Sequence, residues 1–563
     1  MPKTGMAGFD YIVVGAYMAL MVAIGLYYYR YMKRISTYYA ARGRIPWTLA
    51  ALSLFMTSFS AFVFVTYAGV GYRLGIVAVT LCLATPPAFL IGAYVFSKRW
   101  RRAGIITPVQ FLETRYNLSV RQLVPVVSIP LALIDNGMKV LSLAIFVNQG
   151  FGVALDYSII ACGLIVGIYT LLGGLWAVTV TDVVQFIVLA GAVLVVLPLS
   201  IAKVGGITEF FNKSSQLGLF QPMGDKSWIY LLVFLWLIVL SYNYRWSLVQ
   251  RYYCVKDEKS ARRVGITAAI LSAVVPFMWA LPAMAARLII PGLEKAEADY
   301  SYAMLCVRIL PIGMMGIVIC AMFSATMSTV SAEYNVISSV FTVDIYKRWL
   351  NKSASEKMSM FVARLSTFAI CLIVTVIALV IAGRGKALFD IMVAVFGVML
   401  PPIAIPVLWG ILFPKPYAKS ALVAIIVGLG AAICAFVVCG LKPELVPSSD
   451  NRFILYTLAG SIPSLVVMLL GVFIEKPREE VRQKVDDFFA KMRTSYKEEA
   501  VPEDEKMPSP FPIVGLSSIC IGALLAASSF FVESALHKGI NLGMGLGLGV
   551  IGIILFLAPR LRK

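Results

Sequence analysis

Histidine is almost missing from this sequence: His537 is the single one in 563 residues. A chain with one histidine cannot build a bis-histidine haem site or a histidine-bound metal centre. Cysteine does not substitute for it. Nine cysteines contain no CxxC pair and mostly lie inside apolar runs, where they read as small packing residues. Charge is also scarce, at 14% of residues. There is no nucleophile beside a base, no metal-ligand spacing and no phosphate-cradling glycine loop, so neither an enzyme nor a cofactor is expected.

What the chain has instead is apolar length. Hydrophobic residues make up 60% of it, and the mean hydropathy is +0.86. Runs of about 20 apolar residues recur throughout, each long enough to cross a hydrocarbon layer as a helix. The expected spans are 9–29, 48–72, 75–97, 123–149, 154–173, 176–204, 228–253, 264–290, 312–345, 360–383, 387–413, 418–440, 453–475, 511–532 and 540–559. The expected fold is an all-α integral membrane protein of about fifteen transmembrane helices. The first run reaches full spanning length and ends in a basic segment, unlike a cleavable signal.

The net charge of +20 is spread between spans and forms no single patch, which argues against nucleic acid as a partner. RYMKR with ARGR, KRWRR, VKDEKSARR, YKRWLNK, KPREEVRQK and RLRK fall on alternate connections. Positive residues stay on the cytoplasmic side, so the N-terminus is expected outside and the C-terminus inside, in a cell membrane, with a bacterial inner membrane as first choice. The charged run at 476–510 reads as a partly helical, solvated cytoplasmic connector. Glycines in GINLGMGLGLGVIG (539–552) suit close helix packing.

FSATMSTVSAEYN (323–335) places many oxygens at membrane depth. At 100° per residue, Ser324, Ser328, Ser331 and Asn335 form one stripe, and Thr326, Thr329 and Glu333 a second. Single hydroxyls of this kind often bond back to their own helix, but a carboxylate in hydrocarbon needs a partner, water or a proton. Hard oxygen donors without histidine or cysteine suit sodium better than a transition metal. A cation site also uses backbone carbonyls freed where a membrane helix is interrupted. The segment 48–72 carries Thr57, Ser58 and Ser60 at its middle, where a break would free the carbonyls of Met56 and Phe59.

Other polar residues inside apolar runs are Asp135 and Lys139, Asp182, and Tyr242, Asn243 and Arg245 in LSYNYRW. Asp135 and Lys139 are spaced for a local i,i+4 ion pair. Asp182 either holds a helix end or belongs to a cation relay. Arg245 either pairs with a carboxylate or faces a solute.

Five stretches in order, STYYAARGRIPW (36–47), GIITPVQFLETRYN (104–117), LLGGLWAVTVTDVVQ (171–185), VQRYYCVKDEKSA (249–261) and SATMSTVSAEYNVISSVFTVDIYKRW (324–349), resemble the sodium/solute symporter family. Relatives there carry glucose, proline or sialic acid. The resemblance spans residues 9 to 475. It implies a LeuT-type core (48–413) of two inverted five-helix halves, 48–204 and 228–413. One extra helix and a loop (1–47) precede it. Two peripheral helices (414–475), the connector and two C-terminal helices (511–563) follow.

Carried over by position, the sodium ligands would be the carbonyls of Met56, Phe59 and Ala325 and the hydroxyls of Ser328 and Thr329. A second cation near Asp182 would involve Ser328 and Ser331, with Glu333 as a further carboxylate; Ala332 stands where some relatives place a serine, and Glu333, at a position commonly apolar in relatives, either pairs with Arg245 or tunes ion affinity. The solute cavity candidates are Ser58, Ser60, Val63, Cys82, Asp135, Lys139, Tyr242, Asn243 and Arg245. The resemblance implies sodium-coupled import of a small organic solute by alternating access, a sugar or sugar derivative in first place. The alternatives are a sodium- or proton-coupled carrier for an amino acid or small anion, and a non-transporting sensor on the same scaffold. Sodium is the only metal expected; the partners are solute, sodium and lipid bilayer, with no obligate protein partner.

Overall fold

The computed structural model describes residues 8–29, 45–103, 108–172, 175–494, 509–532 and 534–561, and among them every regular element is helical. The basic stretch 30–44, the GIIT segment at 104–107 and the connector's 495–508 lie outside the described residues.

Helix α1 is Gly8–Tyr29. The next segment is broken: α2 (Trp47–Thr57) ends at Ser58, and a π-wound turn (Val63–Tyr67) leads into α3 (Ala68–Leu74). There follow α4 (Val77–Ala103), the short α5 (Pro108–Arg115), α6 (Leu118–Phe151), α7 (Leu155–Leu172), α8 (Leu175–Val204) and the short α9 (Ile207–Gln216). The second half opens with α10 (Trp228–Tyr244) and α11 (Trp246–Tyr253), which meet at a 53° bend. It continues with α12 (Glu258–Ile289), a short α13 (Ser301–Ile309), α14 (Met314–Leu350), α15 (Glu356–Ala382) and α16 (Leu388–Leu412). After the core come α17 (Ala418–Leu441), α18 (Ser449–Ile474), α19 (Glu479–Arg493), α20 (Phe511–Phe531) and α21 (Ala535–Leu561).

Twelve of these helices are long and apolar enough to span a membrane, thirteen if the bent α10–α11 pair counts as one span. The expectation of about fifteen is therefore too high by this measure. The difference lies in Trp47–Thr57 and Leu155–Leu171, which are apolar but short; hydropathy runs straight through the break after Thr57 and cannot register it.

Local chemistry sets the ends. Asn117, Ser227, Asp257 and Ser355 each cap a helix by accepting a backbone N–H, and Gly152 closes α6 in the left-handed region at φ 68°. At the α2 break, Ser58 Oγ donates to Phe55 O at 2.6 Å, and the chain from Phe59 to Ser60 leaves the helical ladder. A serine bonding its own backbone in this way competes with helix continuation.

At the centre is α14. Every residue from Met314 to Ser339 is buried, and the helix packs against α1, α6, α7 and α8. Its oxygens therefore face protein and not lipid. At the periphery α20 and α21 pack through glycine: a Cβ on Gly545 would stand 2.6 Å from Gly522 O, and one on Gly552 2.6 Å from Gly515 O.

Among the described residues, the basic connections KRWRR, VKDEKSARR, YKRWLNK and KPREEVRQK meet at one end of the bundle. Arg102 pairs with Glu258 at 2.6 Å, and Arg348 pairs with Glu113 at 2.7 Å. Glu113 also pairs with Arg121, and these guanidinium groups, the Arg348 hydrogen bond first, hold its carboxyl down at about 2. Part of the connector expected to be solvated is docked here. In α19, Val485, Phe488 and Met492 are buried, Phe488 lies 5.9 Å from the Phe111 ring, and Arg102 donates to the carbonyls of Met492 and Arg493. An amphipathic face explains the docking: its apolar residues recur at helical spacing among the charges.

Candidate functional site

The break in α2 lies against the middle of α14. Thr329 Oγ1 is 3.3 Å from Met56 O, 3.0 Å from Phe59 O and 3.0 Å from Ala325 O. One hydroxyl proton cannot serve three carbonyls at once. The three oxygens therefore converge around a point with more acceptors than donors. Ser328 Oγ is fully buried, lies toward Asp182 and makes no hydrogen bond of ordinary geometry. Thr326 Oγ1 accepts from Ala61 N at 3.2 Å, which ties the restart of the broken helix to α14. Four of the residues expected around sodium, Met56, Phe59, Ala325 and Thr329, thus meet across two elements, with Ser328 one position along α14, and oxygen donors of this kind are what a small hard cation prefers.

Of the residues expected at a second cation, Asp182 and Glu333 have different partners. Asp182 on α8 accepts from Ser53 Oγ, and Arg251 Nη2 lies 3.7 Å from its Oδ2, with both side chains completely buried. Arg251 Nε also donates to Ser53 Oγ at 3.0 Å. With its amide turned to donate, Gln185 reaches Asp182 Oδ1 at 3.2 Å. Ser331 Oγ donates to Ser328 O at 3.3 Å. Glu333 does not join this group, because its partners are Arg245 and Ser247.

Arg245 sits at the bend between α10 and α11 with extended backbone (φ −60°, ψ 121°). The bend carries its guanidinium between two carboxylates: it pairs with Asp135 on α6 and, through Nη2 at 2.9 Å, with Glu333 Oε1 on α14. Lys139 Nζ pairs with Asp135 Oδ2 at 2.6 Å, one helical turn along. Ser247 Oγ donates to Glu333 Oε1 at 2.6 Å. Asp135, Arg245 and Glu333 line a largely apolar cavity whose other walls include Leu131, Ala132, Val336, Phe396 and Leu400. Of the expected cavity residues, Ser58, Ser60, Val63, Cys82, Lys139, Tyr242 and Asn243 do not line it. Asn243 is turned away, donating to Ala88 O and Val239 O. Tyr242 stacks edge-on with Phe89.

This cavity lies toward the end with the basic connections. Its residues 128–135 are in the first half of α6, which starts there, and 333–340 are in the second half of α14, which finishes there. Toward the opposite end, aromatic side chains pack against one another. Tyr67 contacts Phe62, Trp279 and Phe389 edge-on, and Tyr72 OH donates to Ile290 O at 2.6 Å. Asp299, in the connection between α12 and α13, accepts from Leu388 N at 2.9 Å. Burial pushes its carboxyl up to about 7.

Ser53, Ser247 and Arg251 were not singled out from sequence. Arg251 was visible within VQR, inside an apolar run, but its partner Asp182 is 69 positions away. Serines carry no signal of this kind.

The profile of the Sodium:solute symporter family matches residues 38–428. The sodium/glucose cotransporter of Vibrio parahaemolyticus is 28% identical over 492 residues, covering 81% of this chain and 89% of its own. The sodium/sialic acid symporter SiaT of Proteus mirabilis is 27% identical over 493 residues, covering 84% and 96%. A solved substrate-bound, outward-open Na+-coupled sialic acid symporter superposes with a TM-score of 0.72 at 25% identity, over 84% of this chain and 98% of that one. The nucleobase-cation-symport-1 transporter Mhp1, in a closed conformation with bromovinylhydantoin, superposes at 0.52 with 14% identity over 80% and 98%. Both share this arrangement of helices, the LeuT-type core of two five-helix halves.

Proposed function

The chain belongs to the sodium:solute symporter family, and from that premise we propose that it imports a sugar or sugar derivative together with sodium. It is a multi-pass membrane transporter and not an enzyme. The observation that carries the ion assignment is the convergence of Met56, Phe59 and Ala325 carbonyls on Thr329 Oγ1, which has one proton for three acceptors. Sodium between them would take those carbonyls with the Ser328 and Thr329 hydroxyls. Its ligands come from the α2 break on one side and α14 on the other, so the ion draws two elements together.

That arrangement supports alternating access. Sodium would favour the arrangement in which α2 and α14 are close, and would complete the solute site beside the α10–α11 bend. Rocking of the helices would then expose both to the other side. Solute and ion share a coupling free energy, typically about 1–3 kcal/mol, and each raises the affinity of the other by the same factor. We place the N-terminus outside and the basic connections in the cytoplasm, because those connections gather at one end. In that orientation the cavity beside Arg245 opens inward and the Tyr67 cluster closes the outer side.

We read the Asp182 and Arg251 pair as holding α8 to α11 in place of a second cation, since Arg251 already compensates the carboxylate. The test is uptake into proteoliposomes with sodium replaced by choline at fixed pH. The expected result is loss of accumulation in choline. Accumulation driven equally well by an imposed proton gradient in choline would contradict sodium coupling.

A further inference from the structure

Two carboxylates in the wall of the cavity keep one oxygen each out of the ion-pair network. Every hydrogen bond recorded for Glu333 ends on Oε1: Arg245 Nε at 3.2 Å, Arg245 Nη2 at 2.9 Å and Ser247 Oγ at 2.6 Å. Both hydrogen bonds to Asp135, from Lys139 and from Arg245, end on Oδ2. Among the described residues no hydrogen bond reaches Glu333 Oε2 or Asp135 Oδ1. An ionised carboxylate oxygen accepts and cannot donate, so each of these two positions calls for a donor such as a hydroxyl.

The charges around them are balanced. Lys139 and Arg245 contribute two positive charges, and Asp135 and Glu333 two negative, all linked through contacts from α6, α14 and the bend at Arg245. Of the four, Asp135, Arg245 and Glu333 line the cavity; among the described residues no further charged side chain does, and much of the remaining wall is hydrocarbon or aromatic. An anionic solute seated there would add a charge with no partner. To gain one it would have to take Arg245 from Asp135 or Glu333, stranding a carboxylate at membrane depth. A neutral polyhydroxylated solute meets neither cost, and its hydroxyls fit the two open acceptor positions.

We propose that the Asp135, Lys139, Arg245 and Glu333 network selects net-neutral polyhydroxylated solutes and excludes carboxylated sugars. This rests on the symporter reading and narrows it, since sugar relatives divide into those named for glucose or myo-inositol and those named for sialic acid. Glu333 and Asp135 are the specificity-determining members, because each meets both the guanidinium and the cavity.

The experiment uses the full chain in detergent, with thermal unfolding followed against D-glucose, D-galactose, myo-inositol, D-glucuronate and N-acetylneuraminate, each in sodium and in potassium chloride. The expected result is stabilisation by at least one neutral compound, and binding of the carboxylated ones weaker by about tenfold or more, as follows from stranding a buried charge. Glu333→Gln leaves the network with a net charge of +1 and is expected to narrow or reverse that preference. Asp135→Asn makes the same change from α6 and serves if Glu333→Gln does not fold. Preference of the wild-type chain for glucuronate or N-acetylneuraminate would overturn the proposal, as would silence from all three neutral compounds. Neutral preference that is equal in both salts would leave the network's role standing and count against sodium symport instead.

Discussion

Replacing Thr329 with alanine removes the hydroxyl on which three carbonyls converge and leaves Met56 O, Phe59 O and Ala325 O in place. A hydrogen-bonding group acting on a charge contributes about 1.5–3 kcal/mol. Loss of that contribution weakens sodium binding by roughly 10- to 150-fold at 1.4 kcal/mol per factor of ten. The effect is readable without knowing the solute. Sodium at 100 times its dissociation constant stabilises the folded protein by about 2.7 kcal/mol, and a tenfold weaker site at the same concentration gives about 1.4 kcal/mol or less. The assay is the unfolding midpoint titrated with sodium chloride against choline chloride at constant ionic strength. Thr329→Ser keeps the hydroxyl and is expected to titrate close to the wild type, whereas Ser328→Ala should shift in the same direction as Thr329→Ala. Sodium titrations of Thr329→Ala and Ser328→Ala that superimpose on the wild type would refute the assignment.

Arg251→Met leaves Asp182 buried and uncompensated, a change that typically costs about 3–5 kcal/mol. Adding Asp182→Asn should recover much of that, and a double variant no more stable than the single one by thermal unfolding would contradict the pairing. At the end opposite the basic connections, Asp299 is held near 7, above the usual carboxylate range, by burial. A raised folded-state value means that the contribution is fully present below the unfolded value and is lost as pH rises through about 7. Between pH 6 and 8 this amounts to about 1.4 kcal/mol from one group. The wild type should therefore lose unfolding midpoint over that interval more steeply than Asp299→Asn; equal slopes would exclude the assignment. Glu333→Gln is expected to admit carboxylated sugars, as measured by the salt-paired thermal panel.

Much of this arrangement was legible in the chain because burial in a membrane leaves little freedom. The oxygen stripe of 323–335 had to face protein, and α14 is buried along its whole length from Met314 to Ser339. The break after Thr57 was readable from the polar Thr57, Ser58 and Ser60 at the middle of an apolar run, and Ser58 bonds its own backbone there. Two things were not readable. The number of full-length spans was overestimated, since hydropathy averages over the interruption that makes α2 short. Most partners of the buried charges depend on distance in space: Glu333 was a candidate partner for Arg245 across 88 positions, but nothing in the chain pointed to Asp135 across 110. Spacing alone gave the Lys139 and Asp135 pair, four residues apart on one helix.

Sodium-dependent solute binding is read most directly from the stabilisation of the wild-type chain by each sugar and polyol in sodium chloride compared with potassium chloride. Linkage requires a cotransported solute to stabilise the protein more in sodium than its own binding in potassium allows. The expected result is a neutral sugar or polyol that raises the unfolding midpoint in sodium and has little effect in potassium. Equal stabilisation in the two salts would contradict it.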